Sequence, residues 1–242
     1  MSKICFLIHG YLTDYRDFKS LPLEIMKDYD QVILYQLPGH NHKCSLKLFT
    51  KGNTFKSIDD EMKKIILNNT VDVIGFSLGG ALAWHIALNY PIHKLVLMSP
   101  AIRYFNPALL SSKINYQKGL ETKEKQVLKN NDKEAISFVM HNTFPKFTLK
   151  NGVIFCTIVN AIYKEEGNVN VPTLIIRGTL DELVPEKVIS EISHRCTNPH
   201  IEIFKVPGIG HMMLRTQKEK QIVDKIKNFL EEKDNEWNKR KN

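Results

Sequence analysis

The stretch VDVIGFSLGG, residues 71–80, sets a small hydroxyl between glycines directly after an apolar run. Such a run, followed by glycines and then by the alanine-rich ALAWHIAL, predicts a buried strand, a sharp turn and a helix. Residues two before and two after Ser77 crowd one another in this turn, and Gly75 and Gly79 remove the side chains that would collide. Ser77 is therefore expected at the N-terminus of the helix, where free N–H groups and a partial positive charge favour a developing anion.

Helix-like segments separate five further apolar runs along the chain. Strands that are apolar on both faces and alternate with helices predict a parallel sheet covered on each side. We therefore expect an α/β fold with a mainly parallel sheet of about six strands flanked by helices. Right-handed crossovers place all carboxyl ends of the strands at one edge, where ligands of open α/β sheets bind. The predicted strands are residues 4–10, 31–39, 71–77, 94–100, 173–178 and 200–208.

Three of the intervening segments carry the signals of helices. Apolar residues recur at helical spacing between Phe18 and Lys27, and again in KQIVDKIKNFLEEK, residues 220–233. Ser57 and Asp60 resemble a capping box, which predicts that a third helix begins directly after Ser57.

Two polar residues follow the later predicted strands, and they have the chemistry that a reactive serine needs. A serine hydroxyl is a poor nucleophile until a base, itself held by an acid, takes its proton. Asp181 follows closely on Gly178 at the end of one strand, and His211 lies in the turn after the next. Glu182 is the alternative acid, but the spacing from Gly178 favours Asp181. The predicted catalytic residues are Ser77 as nucleophile, His211 as base and Asp181 as acid.

The negative charge that forms on a substrate oxygen needs two backbone N–H donors near the nucleophile. Leu78, the residue after the serine, offers one of them. The other is expected from Tyr11 in the turn HGY, residues 9–11, where Gly10 lets the main chain approach closely. His9 is a candidate substrate contact, and the alternative is that its side chain stabilises this turn.

Residues 101–165 contain no clear buried strand and are rich in large apolar side chains. A connection of this length between adjacent strands is far longer than usual. It predicts an inserted helical lid, residues 101–165, over a core formed by residues 1–100 and 166–242. The alternative is a loosely packed extension without a role at the site. Besides His9, the predicted substrate contacts are Phe76, Phe105, Phe138, Phe144, Leu183 and Met212.

The composition limits the classes of function. The chain of 242 residues has a formal net charge of +8, spread along its length apart from a denser patch at residues 233–242. It has neither an arginine-rich arm nor an aromatic ribonucleoprotein motif, so nucleic-acid binding is not expected. The four cysteines show neither CxxC nor zinc spacing, so we predict no metal site and a reducing, cytoplasmic location. No apolar run could span a bilayer, but the basic tail and the lid are candidates for weak peripheral lipid contact.

With these residues in place, the chain resembles the α/β-hydrolase superfamily, and within it the small-lid bacterial carboxylesterases and monoacylglycerol lipases. GFSLGG fits the G-x-S-x-G nucleophile elbow, and Ser77, Asp181 and His211 follow in the chain order of that fold. The chain begins at the family's third strand, so the initial hairpin is expected to be absent or shortened. The matching motifs are HGY (9–11), PGH (38–40), GFSLGG (75–80), LVLMSP (95–100), GTLDELVP (178–185) and GIGHMM (208–213).

The resemblance implies ester hydrolysis through an acyl-enzyme, without a cofactor, in an acyl pocket beneath the lid. The expected substrates are small-molecule esters with a short to medium acyl chain, including monoacylglycerols. One alternative is a thioesterase or C–C bond hydrolase with the same triad. The other is a non-catalytic α/β-hydrolase scaffold that binds a small ligand, and the intact Ser77, Asp181 and His211 favour a carboxylesterase-type serine hydrolase over it.

Overall fold

Six parallel strands form one sheet in the computed structural model, which describes residues 1–40, 46–102 and 148–232. The strands are β1 (Ser2–Ile8), β2 (Gln31–Tyr35), β3 (Asn69–Phe76), β4 (Lys94–Met98), β5 (Thr173–Gly178) and β6 (Ile201–Val206). Their order across the sheet is β2-β1-β3-β4-β5-β6, and every neighbouring pair is parallel. The predicted α/β fold with a parallel sheet of six strands is confirmed.

The inner strands are buried on both faces, as their unbroken apolar runs predict. Every residue of β4 and β5 is buried, and so are the last six residues of β3. The edge strands are more open, with Leu34 of β2 37% exposed and Ile203 of β6 46% exposed. Because all strands are parallel, the turns that follow β1, β3, β5 and β6 lie along one edge of the sheet.

Two buried clusters of side chains join the helices to the two faces of the sheet. One cluster includes residues of helices α2 (Lys51–Ile65), α3 (Leu78–Asn89), α4 (Leu149–Tyr163) and α5 (Glu186–His194), and the other includes residues of α1 (Leu21–Ile25) and α6 (Glu219–Glu231). No helix within the described ranges is long and apolar enough to cross a membrane.

Helix α2 begins well before the start that the sequence predicts. Its N-cap is Thr50, whose Oγ1 accepts a hydrogen bond from the N–H of Asn53 at 3.1 Å. Ser57 lies inside the helix and accepts a hydrogen bond from the Tyr35 hydroxyl at 2.7 Å, while Asp60 pairs with Lys56. The predicted capping box at Ser57 is therefore wrong, because Thr50 provides the same capping chemistry earlier and the residues between them continue the helix.

Helix α4 falls within the interval that the sequence assigns to a lid. Its side chains Phe155, Ile158 and Ile162 are fully buried and join the same cluster as α2 and α3. Residues 103–147, which make up most of the interval, lie outside the described residues. The division into a core and a lid at residues 101–165 therefore stays a prediction.

The turn between β3 and α3 leaves no room for side chains at two positions. A Cβ atom built on Gly75 would lie 2.2 Å from the carbonyl oxygen of Gly79. One built on Gly79 would lie 2.0 Å from the carbonyl oxygen of Ile8, at the end of β1. Both contacts are to main-chain atoms, so the rotation of a neighbouring side chain cannot relieve them. The crowding that the sequence predicts for this turn is thus present, and it extends to the neighbouring strand.

We expect Gly79→Ala to lower the midpoint of thermal unfolding strongly or to prevent folding. The added methyl group would overlap the carbonyl group of Ile8, and overpacking a dense interior costs about 1–3 kcal/mol or more. Gly52→Ala is the matched control, because a Cβ atom built on Gly52 in α2 has no atom within 4 Å. It should leave stability unchanged or raise it by up to about 1 kcal/mol. Circular dichroism measures both midpoints, and equal values would contradict the close contact.

Candidate active site

The three residues of the predicted triad lie together at the carboxyl edge of the sheet. Ser77 directly follows β3, while Asp181 and His211 lie in the turns after β5 and β6. Their residues are 6%, 4% and 6% exposed, respectively. The fold therefore brings together three polar side chains from distant parts of the sequence and removes them almost completely from water.

The backbone of Ser77 adopts a conformation that residues with a side chain rarely take. Its φ is 54° and its ψ is −114°, in a sparsely populated region. Hydrogen bonds on both sides fix this conformation, since the Ser77 N–H donates to the carbonyl oxygen of Met98 at 2.9 Å. The Ser77 carbonyl oxygen accepts from the N–H groups of Ala81 and Ala101 at 3.1 and 3.0 Å. The surrounding structure thus holds the serine in the strained turn that the sequence predicts.

A continuous chain of hydrogen bonds connects the serine to the acid. The Oγ atom of Ser77 lies 2.9 Å from Nε2 of His211. On the other side of the ring, Nδ1 of His211 lies 3.0 Å from Oδ2 and 3.1 Å from Oδ1 of Asp181. A carboxylate accepts the hydrogen on Nδ1, which leaves Nε2 free to accept the hydroxyl proton of Ser77. This arrangement can make the serine oxygen nucleophilic.

The carboxyl group of Asp181 is held in its ionised form. Burial raises its pKa, but the charge and hydrogen bond of His211 and the N–H of Val184 outweigh burial, so the pKa lies below its ordinary value. Oδ1 accepts hydrogen bonds from the N–H groups of Leu183 and Val184, each at 3.0 Å. Glu182, the alternative acid, is exposed, whereas Asp181 is buried against the imidazole.

Arg177 fixes the turn that carries the acid, and the sequence analysis missed this residue. It lies in β5 and is 7% exposed. Its Nη2 donates to the carbonyl oxygen of Asp181 at 2.9 Å, and its Nε donates to that of Val184 at 3.0 Å. A charged residue in the apolar run TLIIRG was the available signal, because a buried guanidinium group requires partners.

The turns that carry the acid and the base touch each other through their main chains. The N–H of Leu180 donates to the carbonyl oxygen of Ile209 at 2.9 Å. A Cβ atom built on Gly178 would lie 2.1 Å from the same oxygen, so only glycine allows this approach. The positions of Asp181 and His211 are consequently coupled through the backbone as well as through their side chains.

The two expected oxyanion donors, Tyr11 and Leu78, belong to segments that lie next to Ser77. Leu78 is the first residue of α3, where a helix leaves its N–H groups without intrahelical partners. Tyr11 follows Gly10, and a Cβ atom built on Gly10 would lie 3.3 Å from the Cβ atom of Ser77. The ring of Tyr11 packs against Phe49, with their ring centroids 5.2 Å apart, which anchors this turn.

The side chain of His9 is bound into the turn that follows β1. Its ring is 0% exposed, and Nδ1 lies 2.8 Å from the carbonyl oxygen of Gly10. Its Nε2 accepts a hydrogen bond from the N–H of Leu37 at 3.1 Å and lies 3.0 Å from Nε2 of Gln36. Burial lowers the pKa of the ring and so favours the neutral form. These contacts support the alternative of a side chain that stabilises the turn, and the substrate contact of His9 stays a prediction.

The other predicted substrate contacts are divided between the two faces of the sheet. The ring centroid of Phe76 lies 5.1 Å from that of His211, on the same face as Met212. Leu183 is buried in the cluster on the other face. Phe105, Phe138 and Phe144 lie outside the described residues.

One group of side chains within the described ranges is close enough to share a metal ion, and it is remote from the triad. His200, Glu202 and Glu232 meet at the start of β6, whereas Ser77 lies at the carboxyl ends of the strands. His200 Nε2 lies 3.2 Å from Oε1 of Glu202, whose other oxygen pairs with Lys225. The contacts are those of a network of ion pairs.

Solved structures of similar fold cover nearly the whole chain. A monoacylglycerol lipase from Paleococcus ferrophilus matches with a TM-score of 0.72 and 18% identity, over 94% of this chain and 93% of that chain. An esterase from Exiguobacterium antarcticum matches with a TM-score of 0.70 and 17% identity, over 95% and 92%. MenH from S. aureus matches with a TM-score of 0.65 and 18% identity, over 94% and 93%. At these identities the similarity shows the fold.

Comparison with curated protein sequences finds no match. A family model, Hydrolase_4, described as serine aminopeptidase, S33, matches residues 1–218. This match spans most of the chain and includes all the motifs that carry the resemblance described above. The chain therefore belongs to the Hydrolase_4 (serine aminopeptidase, S33) family of the α/β-hydrolase superfamily.

Proposed function

We propose that the protein hydrolyses carboxylic esters through a covalent acyl-enzyme formed on Ser77. The observation that carries the proposal is the hydroxyl of Ser77 at 2.9 Å from Nε2 of His211, whose Nδ1 lies 3.0 Å from Asp181. Membership in a hydrolase family supports hydrolysis in general. Two proteins of similar fold are an esterase and a monoacylglycerol lipase, which supports an ester as the substrate.

In the proposed reaction, His211 takes the proton from Ser77 while the serine oxygen attacks the ester carbonyl carbon. Asp181 remains ionised and stabilises the imidazolium that forms. The bond to the alcohol oxygen then breaks, and His211 gives its proton to the departing alcohol. Water, activated by the same imidazole, attacks the acyl group on Ser77 and releases the carboxylic acid.

Backbone N–H groups of Tyr11 and Leu78 are the proposed donors to the oxyanion of both tetrahedral intermediates. The position of Leu78 at the first turn of α3 supports one of them, because the helix adds a partial positive charge there. The closeness of Gly10 to Ser77 supports the other. Each donor of this kind is worth about 3 kcal/mol in the transition state.

An apolar acyl chain of short to medium length is the proposed acyl group, and a monoacylglycerol is the proposed natural form of the ester. The predicted lid at residues 101–165 would cover this chain, with Phe105, Phe138 and Phe144 as lining residues. Phe76 and Met212 are the proposed lining residues close to the triad. Both are buried, the ring of Phe76 packs against that of His211, and Met212 follows His211 in the chain.

A cytoplasmic location and weak peripheral lipid contact also remain proposals. The free thiols of Cys5, Cys156 and Cys196 support a reducing compartment. The basic patch at residues 233–242 would supply the lipid contact through charge, which predicts binding that weakens as salt concentration rises.

We expect Ser77→Ala to abolish the hydrolysis of p-nitrophenyl butyrate, by at least about 10⁴-fold, because the proposed acyl-enzyme forms on the hydroxyl that this change removes. Ser193→Ala is the control, since Ser193 lies in α5 and its hydroxyl donates to the carbonyl oxygen of Ile189. Esters of increasing chain length, a monoacylglycerol, a thioester and an amino-acid p-nitroanilide are assayed together. If the thioester or the anilide is turned over faster than the esters, the proposal of an ester substrate is wrong. If Ser77→Ala retains turnover, Ser77 is not the nucleophile.

We expect Asp181→Asn to lower kcat by about 10³–10⁴-fold with little change in KM, because the amide cannot orient the imidazole or balance its charge. Glu182→Gln is the matched control at the neighbouring position and should keep kcat within about threefold of the unsubstituted protein. Steady-state kinetics with p-nitrophenyl butyrate measure both. A larger loss of kcat in Glu182→Gln than in Asp181→Asn would show that Glu182, and not Asp181, is the acid.

A further inference from the structure

A buried ion pair joins the segment that follows His211 to the segment that follows residues 9–11, the turn that carries the proposed oxyanion donor Tyr11 and is called the oxyanion turn below. Nε and Nη2 of Arg215 donate to Oδ1 of Asp17 at 3.0 and 2.5 Å. The side chains are 4% and 2% exposed, and the two residues are 198 positions apart in the sequence. The pair therefore connects two parts of the proposed site that no strand pairing joins directly.

Arg215 is fixed to His211 by a short, hydrogen-bonded segment. The N–H of Met213 donates to the carbonyl oxygen of His211 at 2.9 Å, and the N–H of Arg215 donates to that of Met212 at 3.0 Å. Residues Met213–Arg215 form a single 3₁₀ turn, and all three are buried. A displacement of the Arg215 main chain would consequently move the backbone that carries the imidazole.

Asp17 is fixed in a similar way to the turn that carries Tyr11. It lies in the 3₁₀ turn Tyr15–Phe18, and its N–H donates to the carbonyl oxygen of Asp14 at 3.0 Å. The hydroxyl of Thr13 donates to the carbonyl oxygen of Gly10 at 3.0 Å, which ties this segment back to the turn beside Ser77. Asp17 thus has a fixed position relative to the proposed oxyanion donor.

The side chains around the pair reach the imidazole itself. Asp17 and Arg215 line a small cavity together with Phe76 and Met212. The ring centroid of Phe76 lies 5.1 Å from that of His211, and Met212 is the next residue in the chain after this histidine. The ion pair is therefore connected to the ring of His211 both through side-chain packing and through the backbone.

The arrangement of the pair is poor for stability. Removing two charges from water carries a large desolvation cost, which is recovered only where the remaining lone pairs and protons find partners. Both N–H groups converge on Oδ1, and the buried Oδ2 of Asp17 has no hydrogen bond among the described residues. Replacing a buried ion pair by apolar residues of similar volume is often neutral or stabilising, so stability alone gives no reason for charges at this site.

We propose that Asp17 and Arg215 are positioning residues that hold the imidazole of His211 in a fixed position relative to the oxyanion turn. This inference rests on the ester hydrolysis proposed above. The pair touches neither the substrate nor the reacting atoms, and it acts through the two segments it joins. Its loss should therefore reduce the chemical step rather than the binding of the ester.

The test replaces both charges at once, in the double variant Asp17→Leu/Arg215→Met of the full chain. We expect kcat for p-nitrophenyl butyrate to fall at least tenfold, with KM within twofold and a midpoint of thermal unfolding within a few degrees of the parent. The acid limb of the kcat/KM profile should also shift, because this limb reports the essential base of the free enzyme. A change in stability alone would not move this limb.

Arg16→Met is the matched control, since Arg16 pairs with Asp14 in the same segment and its side chain is 44% exposed. It should keep the kcat and the pH profile of the parent. A double variant with parental kcat and pH profile, or a loss of kcat that Arg16→Met shares, would overturn the positioning role while ester hydrolysis stands. Absence of hydrolysis by the unsubstituted protein would instead defeat the proposed function and this inference together.

Arg215→Lys decides the question if the double variant does not fold. It keeps the positive charge but loses the planar group that places two N–H donors on one oxygen. We expect a fold like that of the parent and a threefold or greater loss of kcat, with the same movement of the acid limb. A folded Arg215→Lys with the kcat of the parent would overturn the proposal.

Discussion

The site depends on one steric constraint, which is the absence of side chains where the end of β1, the end of β3 and the start of α3 meet. The carbonyl oxygen of Ile8 occupies the place where a Cβ atom of Gly79 would stand, and the carbonyl oxygen of Gly79 does the same for Gly75. Only a main chain without these side chains can turn so sharply. Ser77 takes its strained φ of 54° as a consequence, with its hydroxyl at the edge of the sheet.

A second position without a side chain, Gly178, brings the turns that carry the acid and the base together. Gly178 allows the turn after β5 to touch Ile209 in the turn before His211. The guanidinium group of Arg177 then fixes the carbonyl oxygen of Asp181, and the pair of Asp17 and Arg215 fixes the far end of the histidine turn. The proposed chemistry of the three side chains thus rests on backbone packing and on two buried arginines.

The sequence predicts the sheet correctly, and it singles out Ser77, Asp181 and His211, which the fold brings together, because both predictions depend on local signals. Buried parallel strands appear as unbroken apolar runs, and polar residues directly after them lie at one edge of the sheet. The start of α2 was not predictable in this way, because Thr50 and Ser57 have equal capping chemistry and only packing separates them. The sequence left the role of His9 open between substrate contact and turn stabilisation, because its partners, Leu37 and Gln36, lie in the turn after a different strand.

The ion pair of Asp17 and Arg215 shows the same limit most clearly. Its two residues are 198 positions apart, and neither stands in a motif. Local patterns predict which residues follow a strand, but they do not show which charges meet when the turns pack. The predicted lid contacts Phe105, Phe138 and Phe144 lie outside the described residues and stay predictions.

The most direct test of the central claim is labelling with an alkyl fluorophosphonate, followed by peptide mapping in the mass spectrometer. Such a reagent reacts preferentially with an activated serine oxygen and forms a stable adduct with it. The account predicts one adduct per chain, located on Ser77, and none in a folded His211→Gln variant, because the imidazole must take the hydroxyl proton. A folded protein that remains unlabelled, or that carries the adduct on another residue, would contradict it.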